Sequence, residues 1–198
     1  MDAALLLIDV VNPMDFAGAD ALMPHALRAA DAIAALKHRA HMADIPVVYV
    51  NDNYGRWHLG FRELIAQLQE ERVPGVPLIE RLLPDQTRDH FILKPMHSGF
   101  YCTGLDVLLA FRKVRRLILT GIAGNICVFF TANDAHMRGY EIAVPSDCVA
   151  SETPEDNAYA LRQMQRVLGA DVSPSPRLSI VHDGVSQPLD GALLRQRG

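Results

Sequence analysis

Five short apolar runs alternate with five longer segments of helical periodicity along the chain. The runs are rich in aliphatic and β-branched residues and cover residues 3–11, 45–50, 90–93, 114–121 and 141–144. Continuous apolar character over so few residues is typical of strands that are covered on both faces of a parallel sheet. Apolar residues recur at helical spacing in residues 24–43, 61–71, 104–113, 125–138 and 153–168.

This alternation predicts an α/β fold with a doubly wound, mostly parallel sheet and helices on both faces. At 198 residues the chain suits one domain, residues 1–198, whose core needs no disulfide or metal for support. The proline-rich residues 73–84 are interpreted as a connection inside that domain. Pro24 is expected in the first turn of its helix, and Thr153 is expected to cap the helix that starts at Pro154.

Three reactive side chains fall at the carboxyl ends of predicted strands. Asp9 lies near the end of the first strand, Lys94 ends the third, and Cys127 follows the fourth. Open α/β sheets keep their ligand sites at this edge, so the three side chains are expected to converge. Each also has a simpler interpretation. Asp9 suits a turn, Lys94 suits a solvated charge, and Cys127 suits a small buried hydrophobe.

Cys127 is predicted in the first turn of a helix, after a sharp reversal that Gly121 and Gly124 permit. The unpaired N–H groups and the positive end of the helix dipole favour an anion there. The thiol is therefore expected to shift toward thiolate, the form that attacks carbonyl groups. Lys94 lies between an apolar run and aromatic residues, a setting in which desolvation tunes an amine for proton transfer.

Composition excludes several classes of protein. With 49% hydrophobic residues, 21% charged residues and a net charge of −4, the chain has no basic stripe for nucleic acid. The apolar start is only about eight residues long and lacks a basic flank, so neither a signal peptide nor a membrane span is expected. Three cysteines without CxxC spacing favour reduced thiols and a cytoplasmic location.

The polar and aromatic loop of residues 51–58 follows the second strand and contains Asp52 and His58. Two such residues six apart, with no clear third ligand, are a weak metal signal, and a solvated or hydrogen-bonded loop is the favoured interpretation. We therefore predict no metal and no cofactor. Trp57 in this loop, together with His97, Phe100 and Tyr101 after the third strand, is the predicted aromatic wall of a small substrate pocket.

The segments LLLIDVVNPMDF, LKPMHSGFY and LTGIAGNICVFFTANDAHMRGYEIAVPSDCVAS resemble the three signature blocks of the isochorismatase-like cysteine hydrolases. The likeness extends from about residue 4 to residue 168. It implies a catalytic triad of Asp9, Lys94 and Cys127, and a cis peptide between Ile122 and Ala123. It also implies an oxyanion hole made by the amides of Ala123 and Cys127, and a homo-oligomer, either a dimer or a tetramer.

Two departures from the family pattern narrow the activity that the resemblance implies. Nicotinamidase members carry a metal-binding Asp-x-His segment after the second strand, where this chain has Asn51, Asp52 and Asn53. Members that cleave the vinyl ether of isochorismate lack the cysteine. The resemblance thus implies hydrolysis of a small amide or imide through a thioester, with Asp9 moving protons in both half-reactions.

Several other functions remain open at this point. One is ester or ether hydrolysis on the same scaffold. Another is a redox-active thiol, with Cys102 or Cys148 as the resolving cysteine. A non-catalytic binding protein would not require an intact triad, and a dinucleotide-binding protein would require a G-x-G-x-x-G segment after a strand, which this sequence lacks.

Overall fold

The computed structural model describes residues 2–180. A parallel sheet forms the centre of the molecule. Its strands are β1 (Ala3–Ile8), β2 (Val47–Asp52), β3 (His90–Lys94), β4 (Arg116–Ile122), β5 (Glu141–Ala143) and β6 (Val149–Ala150). The order is β3-β2-β1-β4-β5, every paired neighbour is parallel, and β6 pairs with the end of β4 beside Gly121 and Ile122. The predicted doubly wound parallel fold is confirmed.

The helices are α1 (Ala19–Met42), α2 (Phe61–Glu70), α3 (Val76–Arg81), α4 (Leu105–Phe111), α5 (Phe129–Met137) and α6 (Pro154–Leu168). A π-helical turn, Gly124–Val128, leads into α5, and a 3₁₀ turn covers Ser175–Arg177. Within residues 2–180, no helix combines the length and apolar character that crossing a bilayer requires.

Alternation along β1 explains why helices cover both faces of the sheet. Leu5 and Leu7 join a core cluster that includes buried residues of α1, α2 and α3, whereas Leu6 and Ile8 join a second cluster with residues of α4, α5 and α6. Successive side chains of a strand point to opposite faces, so a strand covered on both faces must be apolar throughout. All six residues of β1 are buried, as its unbroken apolar sequence predicts.

Two local predictions need correction, and one strand was not predicted. Helix α1 begins at Ala19 rather than at Pro24, so Pro24 lies inside the helix and beyond its first turn. Residues 73–84 contain the short helix α3, which carries Leu78 and Ile79 into the core. Strand β6 is too short to give an apolar signal of its own. The predicted cap of α6 is confirmed, since Thr153 accepts a hydrogen bond from the Asp156 amide.

Candidate active site

The carboxyl edge of the sheet brings Asp9, Lys94 and Cys127 together. Asp9 directly follows β1 in a left-handed conformation with φ of 51°, Lys94 is the last residue of β3, and Cys127 lies in the π turn after β4. Because β2 separates β1 from β3, the long lysine side chain must cross the end of β2 to meet the aspartate. The convergence expected from the sequence is present in the fold.

The three side chains form a chain of contacts. Lys94 Nζ lies 2.8 Å from Asp9 Oδ2 and 3.6 Å from Cys127 Sγ. Lys94 also donates to the carbonyl of Met96 at 3.1 Å, and Asp9 Oδ1 accepts the Asp52 amide at 2.8 Å. Lys94 is 1% exposed and Asp9 is 5% exposed, so this ion pair is almost completely removed from water.

Burial and mutual charge set the protonation of this group. Burial raises the pKa of Asp9 above its ordinary value, although the Lys94 charge and hydrogen bonds to the carboxylate oppose the rise. Burial alone would lower the pKa of Lys94, but interactions with Asp9 above all, and with Cys127, outweigh burial and leave that pKa raised. Burial and then the Asp9 charge raise the pKa of the Cys127 thiol to about 12, against the opposing Lys94 charge.

The expected shift of Cys127 toward thiolate is therefore wrong, because the pKa of the thiol is raised. The position in the first helical turn is as predicted, but burial and the neighbouring Asp9 carboxylate raise the pKa of the thiol and favour its neutral form. The thiol needs a base in contact with it to react. Asp9 acts on the pKa of that thiol and is the candidate base.

The turn before Cys127 is built by close contacts with β1. Gly121 has φ of +113°, and a Cβ there would lie 2.0 Å from the carbonyl oxygen of Ile8, so only glycine fits. The Ile122–Ala123 peptide is cis, and the carbonyl of Ala123 accepts the amides of both Ile126 and Val128. The oxyanion role of the Ala123 and Cys127 amides stays a prediction.

The predicted substrate-binding residues divide into three cases. His97 lies at the site, with Nδ1 3.9 Å from Cys127 Sγ. Phe100 is only 4% exposed and its ring stacks on Tyr140, so it packs in the core, and its contact with substrate stays a prediction. Trp57 and Tyr101 are 74% and 56% exposed, and their contact with substrate stays a prediction.

The hydroxyl groups of two residues that the sequence did not predict at the site hold it in place. Thr131 Oγ1 donates to the carbonyl of Cys127 at 2.7 Å and accepts the Gly99 amide at 3.0 Å, which joins α5 to the loop after β3. Ser151 Oγ accepts the Asn125 amide at 3.2 Å from the far side of the turn. Thr131 lies four residues after Cys127. A threonine at this spacing in a helix can donate a hydrogen bond to the backbone carbonyl, so the sequence contained a signal for this contact.

The end of β2 and the loop after it have a structural role. Asn51 is buried, donates to the carbonyl of Val11 at 2.8 Å and accepts the Val11 amide at 3.0 Å. The carboxylate of Asp52 accepts the Tyr54 amide at 2.7 Å, and His58 is exposed. Within residues 2–180, no three His, Cys, Asp or Glu side chains lie together as a metal site would need.

Comparisons with known proteins identify the family of this chain. Residues 3–175 match the family model described as "Isochorismatase domain". The chain is 40% identical over 177 residues to YaaI of Bacillus subtilis (strain 168), an uncharacterized isochorismatase family protein, and the match covers 89% of this chain and 96% of YaaI. N-carbamoylsarcosine amidase from Thermoplasma acidophilum has a TM-score of 0.70 and 28% identity, over 90% of this chain and 99% of that chain. The nicotinamidase SaPncA from Staphylococcus aureus has a TM-score of 0.66 and 26% identity, over 87% of this chain and 98% of that chain. This chain, with its buried Asp9–Lys94 pair beside Cys127, belongs to the isochorismatase family.

Proposed function

We propose that this chain is a cysteine-dependent hydrolase that cleaves a carbon–nitrogen bond of a small amide or imide through a thioester on Cys127. The observation that carries the proposal is the contact of a buried carboxylate, an ammonium and a thiol at one edge of the sheet. Two structurally similar members of the family, N-carbamoylsarcosine amidase and nicotinamidase, bear amidase names, which supports a carbon–nitrogen substrate.

In the proposed acylation step, Asp9 accepts the thiol proton while Cys127 Sγ bonds to the substrate carbonyl carbon. The resulting oxyanion accepts hydrogen bonds from the amides of Ala123 and Cys127, and the Lys94 ammonium stabilises the negative charge. Asp9 then gives its proton to the nitrogen, the C–N bond breaks, and an amine or ammonia leaves a thioester. A thiol pKa of about 12 requires a base in direct contact with it, and Asp9 meets that requirement.

The substrate in this proposal is a small amide or imide, and the reaction needs no metal or cofactor. The loop that carries the nicotinamidase metal segment has Asn51, Asp52 and Asn53 here, and the side chains of all three accept hydrogen bonds from backbone amides. Nicotinamide is therefore not the favoured amide. Nucleic acid is not a proposed partner, since the net charge is −4.

The redox alternative has less support than hydrolysis. A protonated thiol with a pKa of about 12 is a poor target for peroxide at neutral pH, because the thiolate is the form that oxidises. Cys148 is buried and burial, followed by the Asp147 charge, raises its pKa to about 12 as well. Cys102 is exposed, and all three thiols are free. Hydrolysis of an ester or an ether by the same side chains is the second candidate function.

We also propose a homo-oligomer, dimer or tetramer, and a cytoplasmic location. The first rests on the family resemblance and the second on the free cysteines. Sedimentation equilibrium of the full chain tests the first, and a single species of 21.9 kDa would contradict it. Fractionation of the source cells tests the second.

Release of ammonia from acetamide, benzamide and N-carbamoylglycine, together with ring opening of succinimide to succinamic acid followed by chromatography, tests the proposed activity. Turnover of at least one of these is expected, and Cys127→Ala should abolish it because no other group can form the thioester. Cys102→Ala is the matched control and should retain full turnover. Mass spectrometry of protein quenched during turnover should find the acyl group on Cys127. An adduct on Cys102 or Cys148 would show the proposed mechanism to be wrong.

A further inference from the structure

The sulfur of Cys127 faces different groups on its two sides. On the inner side lie Asp9 and Lys94, both buried. On the outer side lies His97, an exposed residue whose Nδ1 is 3.9 Å from Sγ. A water molecule that attacks a thioester on Cys127 arrives from solvent, so it meets the imidazole side of the sulfur.

Asp9 is poorly placed to activate that water. One carboxylate oxygen is occupied by Lys94 and the other by the Asp52 amide, each at 2.8 Å. Asp9 reaches the thiol proton because the thiol itself is in contact with it. After the amine has left, water can enter the space that the leaving nitrogen vacated, but there it must share carboxylate oxygens that Lys94 and the Asp52 amide already bind.

His97 is held in position by the segments around it. The hydroxyl of Ser98, the next residue, donates to the carboxylate of Asp134 on α5, and the Gly99 amide donates to Thr131. The imidazole ring also packs against the ring of Phe130, with centroids 5.3 Å apart. The same helix that follows the nucleophile therefore orients the imidazole, which reduces the cost of ordering it for reaction.

We propose that His97, rather than Asp9, is the general base of thioester hydrolysis. This inference rests on the proposed function and replaces the sequence-based expectation that one carboxylate serves both half-reactions. Nδ1 accepts a proton from water while the water oxygen bonds to the acyl carbon. The C–S bond then breaks, the acid leaves, and Nδ1 returns its proton to the thiolate. A neutral imidazole carries out both transfers because it has a free acceptor nitrogen and becomes a donor once protonated.

Acetylation by p-nitrophenyl acetate separates the two half-reactions. The release of p-nitrophenol reports formation of acetyl-Cys127, and mass spectrometry reports its decay after removal of the ester. We expect His97→Ala and His97→Asn to form the adduct within about twofold of the wild-type rate but to lose it roughly 10²-fold more slowly. Free imidazole should restore much of the decay rate in His97→Ala, since the site is exposed. His136→Asn replaces another exposed histidine, on α5, and should change neither rate.

The possible outcomes distinguish this inference from the function beneath it. If the wild-type protein forms no acetyl adduct on Cys127, the proposed function and the inference both fail. If the adduct forms and then decays at the same rate in both His97 variants, the inference alone fails. It also fails if the variants slow adduct formation and leave the decay unchanged, because His97 would then act in acylation.

Discussion

At the scale of single residues, the neighbours of Cys127 determine its reactivity. Burial and the Asp9 carboxylate keep the thiol protonated, and Lys94 opposes them only in part. The same carboxylate is the proposed acceptor of the thiol proton. A thiol held neutral beside its base is stable until a substrate carbonyl arrives, and the proton then has a short path to the leaving nitrogen.

Asp9→Asn should make Cys127 more acidic. The substitution removes a negative charge beside the sulfur and keeps Lys94, so the pKa of the thiol should fall below its value of about 12 in the native protein. A lower pKa gives more thiolate at a given pH, so the iodoacetamide reaction profile should move to lower pH. The protein is treated with iodoacetamide at pH values between about 7 and 11, and mass spectrometry of the Cys127 peptide measures the extent of reaction at each pH. Asp106→Asn, which removes a partner of Arg138, should leave the profile in place, and an upward shift in Asp9→Asn would contradict the charge argument.

At the scale of secondary-structure elements, the turn between β4 and α5 is enclosed on two sides. Gly121 contacts the backbone of β1, and Gly124 contacts Ser151 and Asn157 from the segment around α6. Ser151 Oγ donates to Asn157 Oδ1 at 3.1 Å while it accepts the Asn125 amide, so this pair supports the first turn of the nucleophile helix. The position of Cys127 thus depends on residues distant in sequence.

Gly124→Ala should displace this turn and reduce turnover. A Cβ at residue 124 would lie 2.5 Å from Asn157 Oδ1 and 3.2 Å from Ser151 Oγ, so the backbone or Asn157 must move. A shift of about 1 Å near reacting atoms can lower the rate roughly 10²-fold. Gly104→Ala is the control, because among the described residues nothing lies within 4 Å of a Cβ there. Steady-state kinetics should show that the double variant Gly124→Ala/Asn157→Ala recovers part of the lost turnover. Full turnover by Gly124→Ala alone would contradict the proposed steric conflict.

Thr153→Ala should destabilise the protein through helix α6. The Thr153 side chain accepts the Asp156 amide at 3.1 Å, and loss of such a cap costs about 1 kcal/mol. For a chain of this size that corresponds to a fall in Tm of about 2–4 °C, measurable by calorimetry. Thr153→Ser keeps the hydroxyl and should retain most of the stability. Equal losses in both variants would mean that the threonine methyl, rather than the cap, provides the stabilisation.

At the scale of the whole molecule, the Asp9–Lys94 pair connects β1 with β3 across the end of β2. Both groups are buried, so removal of one leaves the other charged or forces it to change protonation. The catalytic pair is therefore also part of the structure of the sheet edge. Stability and activity are coupled at this point.

Lys94→Met should lower the free energy of unfolding by roughly 3–5 kcal/mol, because it leaves a buried carboxylate without its partner. Urea unfolding followed by circular dichroism gives the measurement. Asp9→Asn together with Lys94→Met should recover part of the loss, since no unpaired charge remains. Arg81→Met breaks the exposed pair with Asp31 and should cost less than about 1 kcal/mol. A similar small loss in Lys94→Met would show that the buried pair contributes little to folding.

The sequence by itself determined the elements of the fold and the residues at their ends. Apolar runs such as that of β1 identify buried strands, since a side chain on either face of a covered strand must be apolar. Asp9, Lys94 and Cys127 were found because a reactive side chain near the carboxyl end of such a run, or in the turn after it, is expected at the carboxyl edge of the sheet. These signals are local, so they survive without knowledge of the neighbouring strands.

Only the tertiary structure decided what surrounds those residues. Strand order places Lys94 within 2.8 Å of Asp9 across 85 positions of sequence, and no local pattern encodes that order. The protonated state of Cys127, the core position of Phe100 and the place of His97 beside the sulfur depend on burial and on contacts between separate segments. The free energy of a charge depends on everything within several ångströms of it, so the chemistry of the site follows from packing, whereas its candidate residues follow from periodicity.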